Sequence, residues 1–278
     1  SMTYEPYSLD PDYIEANRAF IHSLDTSGKR RLLDLACGIG TLSKLVREKN
    51  PALCVLGLDL SLEGLRVLQR KVHEEKGFSL LNASADAIPV APESVDMITM
   101  GHSIHMLPDA EKLLSEISRV LRKNGIFVFN TSFYAGTFVD GTEPIYHDWT
   151  MNAIQYVREK DRALRAEGKP GIKRKRGTAS SAFSTEWPSA AEWLERLDRH
   201  DFDATSDIRT VKLTQRSFES IAAYGGFSKV IMSGYPVEEA CEALMAAAGP
   251  TFNEHAVSEV PRYWLEIVAT KRGAAAGG

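Results

Sequence analysis

The first half of the chain alternates short apolar runs with amphipathic helical patterns, and this alternation limits the folds that the chain can adopt. Five runs are nearly continuous in apolar residues, as parallel strands covered on both faces are: Arg31–Ala36, Leu53–Asp59, Phe78–Ala83, Val95–Met100 and Ile126–Thr131. Helical patterns lie between them, such as the one that Ser61 can cap and the one that Pro108-Asp109 opens and Asn124-Gly125 ends. The alternation predicts an α/β fold with a parallel, doubly wound sheet.

The pattern changes after Thr131. Residues 133–188 contain no good strand, and their apolar spacing predicts one amphipathic helix over about 146–164. The remaining predicted elements are a helix capped by Ser189, a strand at Ile208–Leu213, a mostly helical stretch at 215–248 that includes Val237–Ala248, and a strand at Tyr263–Ala269. We therefore expect one sheet domain with two helical insertions.

Composition excludes several classes of protein. The chain of 278 residues has a formal charge of −4, with 25% charged and 44% hydrophobic residues, which is average for a globular domain and not for a disordered, fibrous or strongly basic chain. The three cysteines, Cys37, Cys54 and Cys241, lack CxxC spacing, so we expect no disulfide framework and no metal site, and a reducing, cytoplasmic location. The sequence shows neither a membrane-spanning run nor the apolar core of a signal peptide.

A glycine loop follows the first predicted strand, in Asp34-Leu-Ala-Cys-Gly-Ile-Gly-Thr41. Gly38 and Gly40 let the backbone approach a ligand closely, and Asp59, at the end of the second strand, can accept both hydroxyls of a ribose. A dinucleotide loop would carry glycine or alanine where Ser43 stands. Asp34 would repel a pyrophosphate but suits the ammonium of an amino acid, which favours S-adenosylmethionine.

These residues resemble the class I S-adenosylmethionine-dependent methyltransferases. The segment from Asp34 to Gly40 resembles their E/D-x-G-x-G-x-G motif, with Ala36 in place of the first glycine, and Asp59 matches the acidic residue that ends their second strand. Ala85–Pro89 resembles their A-D-A-x-x-P signature, in which the aspartate receives the adenine amino group.

Two further segments resemble the family's fourth strand and the region after it. Val95–Ile98 followed by Gly101-His102-Ser103 is similar to that strand and its loop, and Ile104–Pro108 with Leu121–Gly125 is similar to the family's HLPD…VLRPGG run. The resemblance covers about residues 30–135. It implies a Rossmann-like, doubly wound, seven-stranded sheet in the order 3-2-1-4-5-7-6, with the last strand antiparallel and with helical lid insertions.

The resemblance also implies a division of the chain and a cofactor. We expect a single domain over 1–278, with N-terminal lid helices at 1–29 that include Tyr4, a cofactor-binding core at 30–132, a helical substrate lid at 133–205, and C-terminal strands with a second helical insertion at 206–272. The implied cofactor is S-adenosyl-L-methionine. The residues predicted to bind it are Asp34, Ala36, Gly38, Gly40, Asp59, Leu60, Ser84, Asp86, Ala87, Gly101 and His102.

Histidines and aromatic residues are the candidates for catalysis and substrate binding. An imidazole can act as a base near neutral pH, so His102, after strand four, and His147, in the first insertion, are candidate catalytic residues, although each could instead only pack. The predicted substrate-binding residues are Tyr13, His105, Phe133, Tyr134, Tyr146 and Trp149. For Trp149 and His105 the alternative is local packing.

The predicted activity is methyl transfer from S-adenosylmethionine to an oxygen, nitrogen or carbon atom of a small hydrophobic or aromatic metabolite, for example one of secondary metabolism. The alternatives are an NAD(P)-dependent oxidoreductase, a non-catalytic cofactor-binding regulator, and an RNA or protein methyltransferase. We expect neither a membrane nor a nucleic-acid partner, because the single basic run, Lys173–Arg176, lacks interleaved aromatic residues. That run is either a solvated loop or a patch that attracts an anionic substrate. We expect a monomer or a homodimer.

Overall fold

A seven-stranded sheet organises the structure, a computed structural model that describes residues 5–175 and 187–273. Tyr4 and Arg176, both named above, lie outside the described residues. The strands are β1 (Arg31–Leu35), β2 (Cys54–Asp59), β3 (Phe78–Asn82), β4 (Val95–Gly101), β5 (Leu121–Thr131), β6 (Phe202–Thr214) and β7 (Glu259–Lys271). They lie in the order β3-β2-β1-β4-β5-β7-β6, which confirms the predicted order. β1 pairs parallel with β2 and β4, and β7 pairs antiparallel with β5, also as predicted.

Helices connect the strands. They are α1 (Glu5–Ser8), α2 (Pro11–Ser23), α3 (Thr41–Lys49), α4 (Leu62–Val72), α5 (Ala110–Val120), α6 (Glu143–Ala166), α7 (Ala190–Arg199), α8 (Gln215–Ala222), α9 (Gly225–Ile231) and α10 (Val237–Glu254), with a 3-10 turn at Ile104–Met106. The predicted N-caps are confirmed at Ser61, Asp109 and Ser189, whose side chains accept backbone N–H groups of the first turn.

Several boundaries differ from those predicted. The fifth strand begins at Leu121, directly after α5, so the Asn124-Gly125 turn lies within the strand and does not end the helix. Asn124 has a φ of 61°, and the pairing of β4 with β5 shifts in register between Val95 and Met97, which accommodates the irregularity. Helix α10 continues to Glu254 through Pro250, six residues beyond the predicted end.

The described residues divide into two compact units. The sheet unit contains the described parts of Glu15–Thr137, Trp187–Arg209 and Tyr263–Gly278, and its core packs Leu33, Ile98 and Phe127 with other buried apolar side chains. The helical unit contains the described parts of Ser1–Ile14, Phe138–Glu186 and Thr210–Arg262. Its separate core includes Trp149, Phe218 and Leu244.

Candidate functional site

The glycine loop between β1 and α3 leaves room for a ligand. Gly38 and Gly40 both have left-handed backbone conformations, with φ of 53° and 81°. A Cβ atom added at Gly38 would meet no atom within 4 Å, so this side of the loop is open. Ala36, which replaces a glycine of the family motif, adopts a φ of 51° despite its Cβ atom.

Asp59 joins the glycine loop to the end of β2. Its Oδ2 accepts the N–H of Gly38 at 2.7 Å, and its Oδ1 accepts the N–H of Ser61 at 2.7 Å. The Asn82 amide, at the end of β3, donates to the carbonyl oxygens of Asp59 and Leu60 at 2.9 and 3.0 Å. Each carboxylate oxygen has two lone pairs, so Asp59 can still accept hydroxyl groups of a ligand. The carboxyl ends of β1, β2 and β3 thus form one polar edge.

Asp34 braces the loop from inside the sheet unit. Its carboxylate is buried, and it accepts hydrogen bonds from the backbone N–H of Ser43 at 3.1 Å, from the Ser43 hydroxyl, and from the Thr99 hydroxyl at 2.8 Å. Burial raises the pKa of Asp34 to about 6, although the bonds from Ser43 and Thr99 oppose this rise. The bonds tie β1 to α3 and β4. Contact of Asp34 with a ligand ammonium stays a prediction.

Cys37 lies in the same loop, and its thiol is buried. Burial, and after it the charge of Asp34, raises the pKa of the Cys37 thiol far above its ordinary value. A thiol that keeps its proton is not a nucleophile, so this cysteine packs and does not react.

A second carboxylate follows β3. Asp86 accepts a hydrogen bond from the Ser84 hydroxyl and forms an ion pair with Lys112 at 3.3 Å. The Ser84 hydrogen bond and then the Lys112 ammonium hold the pKa of Asp86 below its ordinary value. Asp86 is therefore an ionised acceptor at neutral pH, as binding an amino group requires. Ala87 closes the same turn on the Ser84 carbonyl at 3.2 Å, and Leu60 is 68% exposed.

His102 follows Gly101, the last residue of β4, in a left-handed conformation with a φ of 46°. Its N–H donates to the backbone carbonyl of Asn130 at 3.0 Å, and its buried ring lies 4.1 Å from the ring of Trp264 at 67°. The Asn130 amide in turn donates to Asn17 at 2.9 Å. His102 is thus held firmly at the carboxyl end of β4, and its role as a base stays a prediction.

The predicted substrate-binding residues fall in both units. In the sheet unit, His105 stacks on Phe133 with ring centroids 3.9 Å apart, and Tyr134 is buried in the core. In the helical unit, Tyr13 packs on Tyr7 at 4.6 Å, and Tyr13, Tyr146 and Trp149 are buried. The Trp149 indole donates to the Leu244 carbonyl at 2.7 Å, which fits the packing alternative. His147, the other candidate base, has an exposed side chain that pairs with Asp148 at 2.9 Å.

Four polar or aromatic residues that contact predicted site residues were not predicted from the sequence: Thr99, Asn82, Asn130 and Trp187. The first three could have been found as polar side chains inside or at the end of apolar strand runs. Trp187 has no such signal, since it lies between predicted elements.

The described residues contain neither a metal-ligand cluster nor a candidate membrane span. Over residues 5–175 and 187–273, no three or more His, Cys, Asp or Glu side chains are grouped to hold a metal ion. None of the helices described is both long and apolar enough to cross a membrane.

The central part of the chain is similar in sequence to known methyltransferases. Residues 33–129 match the family described as the methyltransferase domain. A demethylmenaquinone methyltransferase of Lactobacillus johnsonii is 31% identical over 112 residues, which cover 39% of this chain and 46% of the relative. A malonyl-[acyl-carrier protein] O-methyltransferase of Methylococcus capsulatus is 32% identical over 144 residues, covering 50% and 51%. The matches thus span about half the length of these curated relatives.

Solved structures share the fold at low identity. The structure of the [4+2]-cyclase SpnF superposes with a TM-score of 0.56 and 18% identity, covering 93% of this chain and 81% of that one. At such identity the likeness concerns the fold alone. Because that neighbour is named as a cyclase, the sheet by itself does not decide the reaction.

Proposed function

We propose that this chain, a member of the class I S-adenosylmethionine-dependent methyltransferases through residues 33–129, transfers a methyl group to a small hydrophobic or aromatic metabolite. The observation that carries the proposal is the contact between Gly38 and Asp59. It places an acceptor carboxylate beside an open stretch of loop backbone, at the edge where open α/β sheets bind ligands.

The residues at this edge fit the cofactor. Asp59 would accept the ribose hydroxyls, Asp86 would accept the adenine amino group, and the backbone around Gly38 would lie against the cofactor where no Cβ atom intrudes. We propose that the other residues predicted to bind the cofactor, which include Asp34, Gly101 and His102, line the rest of the cofactor site. When bound, S-adenosylmethionine supplies a methyl group made electrophilic by its positively charged sulfur.

The chain's own contribution is placement of the acceptor. An electrophilic methyl group needs an aligned nucleophile and a site from which water is excluded, more than it needs a strong base. We propose that His102 sets one wall of this site and, for an oxygen or nitrogen acceptor, takes up the proton that the acceptor loses. Its backbone bond to Asn130 and its contact with Trp264 would hold the imidazole in one orientation.

The competing proposals are an NAD(P)-dependent oxidoreductase and a non-catalytic cofactor-binding protein. Against the first, Ser43 occupies the third position of the dinucleotide pattern, and its hydroxyl is bonded inward to Asp34. The buried Asp34 carboxylate beneath the loop would also repel a pyrophosphate. A non-catalytic cofactor-binding protein would keep the same cofactor site, so only a measurement of methyl transfer distinguishes it from a methyltransferase.

The test is calorimetric titration of the full chain with S-adenosylhomocysteine, with NADH as the control. We expect one-to-one binding of S-adenosylhomocysteine and none of NADH, followed by methyl transfer to at least one member of a metabolite panel. Binding of NADH alone would support the oxidoreductase. Tight binding of S-adenosylhomocysteine without transfer to any panel member would support the regulator.

Replacing Asp59 by alanine is expected to weaken S-adenosylhomocysteine binding by about 1–3 kcal/mol, or roughly 5- to 150-fold. The variant loses the predicted bonds to the ribose as well as the acceptor that holds the Gly38 N–H. Asp59→Asn keeps one acceptor oxygen and should fall in between. Glu75→Ala, on the exposed surface, is the control and should bind as the wild type does. Wild-type affinity in a folded Asp59→Ala protein would remove Asp59 from the site.

A further inference from the structure

Three half-buried aromatic side chains meet at the carboxyl ends of β4 and β5. His105 lies in the 3-10 turn after β4, Phe133 follows β5, and Trp187 precedes the N-cap of α7. The three belong to the sheet unit. His105 and Phe133 are stacked, with ring centroids 3.9 Å apart and planes at 25°. The Trp187 ring stands at 89° to His105 and at 67° to Phe133, with centroid distances of 5.8 and 5.5 Å. We call these three residues the aromatic corner.

Trp187 is more exposed to solvent than the other tryptophans of the protein. The chain has four tryptophans, and Trp149, Trp193 and Trp264 are at most 3% exposed, whereas Trp187 is only half-buried. Trp193 packs against Phe129 within the core of the sheet unit. A large aromatic surface left partly in water at a ligand-binding edge is typical of a recognition site rather than of a core. Met106, the residue after His105, is 53% exposed.

The corner is supported by rigid structure. The N–H of Ala135, just after Phe133, donates to the Pro188 carbonyl at 3.2 Å, which ties the two chain segments together. Ser189 closes a capping box with Glu192 at the start of α7. On the other side, His105 lies 3.5 Å from the Thr131 hydroxyl at the end of β5. Such support fixes ring orientations before a ligand arrives, which lowers the entropy lost on binding.

We propose that the aromatic corner binds a planar, conjugated ring of the methyl acceptor, and that Trp187 sets the preference for planar over saturated acceptors. Aromatic groups prefer offset stacking or edge-to-face contact, and two ring planes at nearly a right angle offer both contacts to one flat ligand. A saturated ring of the same size can make neither. This proposal rests on the proposed function, and it adds that the acceptor is planar and that Trp187 selects for this shape.

The test compares two ring systems of the same carbon skeleton, 2-naphthol and trans-2-decalol, by calorimetric titration with and without S-adenosylhomocysteine. The wild type should bind 2-naphthol at least about tenfold more tightly than trans-2-decalol. Trp187→Leu, which keeps an apolar side chain, should weaken 2-naphthol binding by about 3- to 10-fold and change trans-2-decalol binding by less than about twofold. Trp187→Phe should restore most of the loss. Val230→Ala, an exposed position of the helical unit, is the matched control.

The outcomes separate the two proposals. Equal binding of the two ring systems by the wild type, or equal binding of 2-naphthol by the wild type and a folded Trp187→Leu, would overturn the aromatic corner as an acceptor site. Failure of S-adenosylhomocysteine to bind would overturn the proposed function, and the titrations without it would still decide the corner. Trp187→Leu should bind S-adenosylhomocysteine as tightly as the wild type does. A general loss of structure would instead weaken the binding of both S-adenosylhomocysteine and 2-naphthol.

Discussion

Gly40→Ala is expected to lower the free energy of unfolding by about 3 kcal/mol. Gly40 has a φ of 81°, where an L side chain costs about 1–2 kcal/mol. The new Cβ atom would lie 2.5 Å from Cδ1 and 3.1 Å from Cδ2 of Leu68. Leu68 is fully buried, so it cannot turn into solvent, and overpacking adds about 1–3 kcal/mol. Urea denaturation followed by circular dichroism measures the loss.

Gly38→Ala is the matched control for this substitution. Gly38 also has a positive φ, of 53°, but its added Cβ atom would meet nothing within 4 Å. The variant should lose only the backbone part, about 1 kcal/mol. Its methyl group would instead occupy the space proposed for the cofactor, so its affinity for S-adenosylhomocysteine should fall. Equal stability of the two variants would show that Leu68 yields to the Cβ atom.

Asp34 should make the stability of the protein depend on pH in the direction opposite to most carboxylates. Its pKa is raised from 3.8 to about 6 by burial, so the folded state holds this proton more tightly than the unfolded state. The contribution to stability is complete below about pH 4 and is lost as the pH rises through 6. The pKa difference corresponds to about 3 kcal/mol of unfolding free energy.

Asp34→Asn removes this titration and tests the prediction. The wild type should lose stability relative to the variant as the pH rises, by about 2 kcal/mol between roughly pH 4.5 and 7.5, with urea denaturation as the measurement. A difference that does not change with pH would contradict a raised pKa at Asp34.

Asp96→Asn gives a contrast of opposite sign. Burial alone would raise the pKa of Asp96, but the N–H groups of Arg30 and Arg31 and the Arg122 guanidinium together hold it below its ordinary value. The stability that Asp96 contributes is therefore present at neutral pH and lost as the pH falls through its folded-state pKa. The wild type should lose stability relative to Asp96→Asn on acidification, the reverse of the Asp34 comparison.

The first five strands could be predicted because their signals are local. The runs of β1 to β5 are apolar over several consecutive residues, and short connections with one handedness leave few ways to arrange them. The family resemblance then supplied the order of the seven strands. The caps at Ser61, Asp109 and Ser189 were predictable for the same reason, since a cap concerns residues within one turn.

Element lengths were less predictable, because tertiary packing extends elements beyond their local signals. Pro250 lacks the N–H that a helix interior uses, yet α10 continues past it to Glu254. Residues on both sides of Pro250, among them Ala247, Ala248 and Phe252, are buried in the core of the helical unit, and this burial outweighs one missing hydrogen bond. Similarly, the sequence pattern places Leu121 in the preceding helix, but in the structure Leu121 pairs with Val95 of β4 and belongs to β5.

The glycine loop and the runs of β1 to β5 could be predicted from the residues alone, because each signal lies within a short stretch of chain. The strand order and the cofactor class followed from the family resemblance. The contacts between distant residues that support the site are visible only in the folded chain. Asp34 meets Thr99 across 65 positions, and Asn130 meets Asn17 across 113. Trp187 reaches Phe133 and His105 because the sheet brings the ends of β4 and β5 together. Such contacts follow from the packing of whole elements, and a local pattern of residue types contains no information about them.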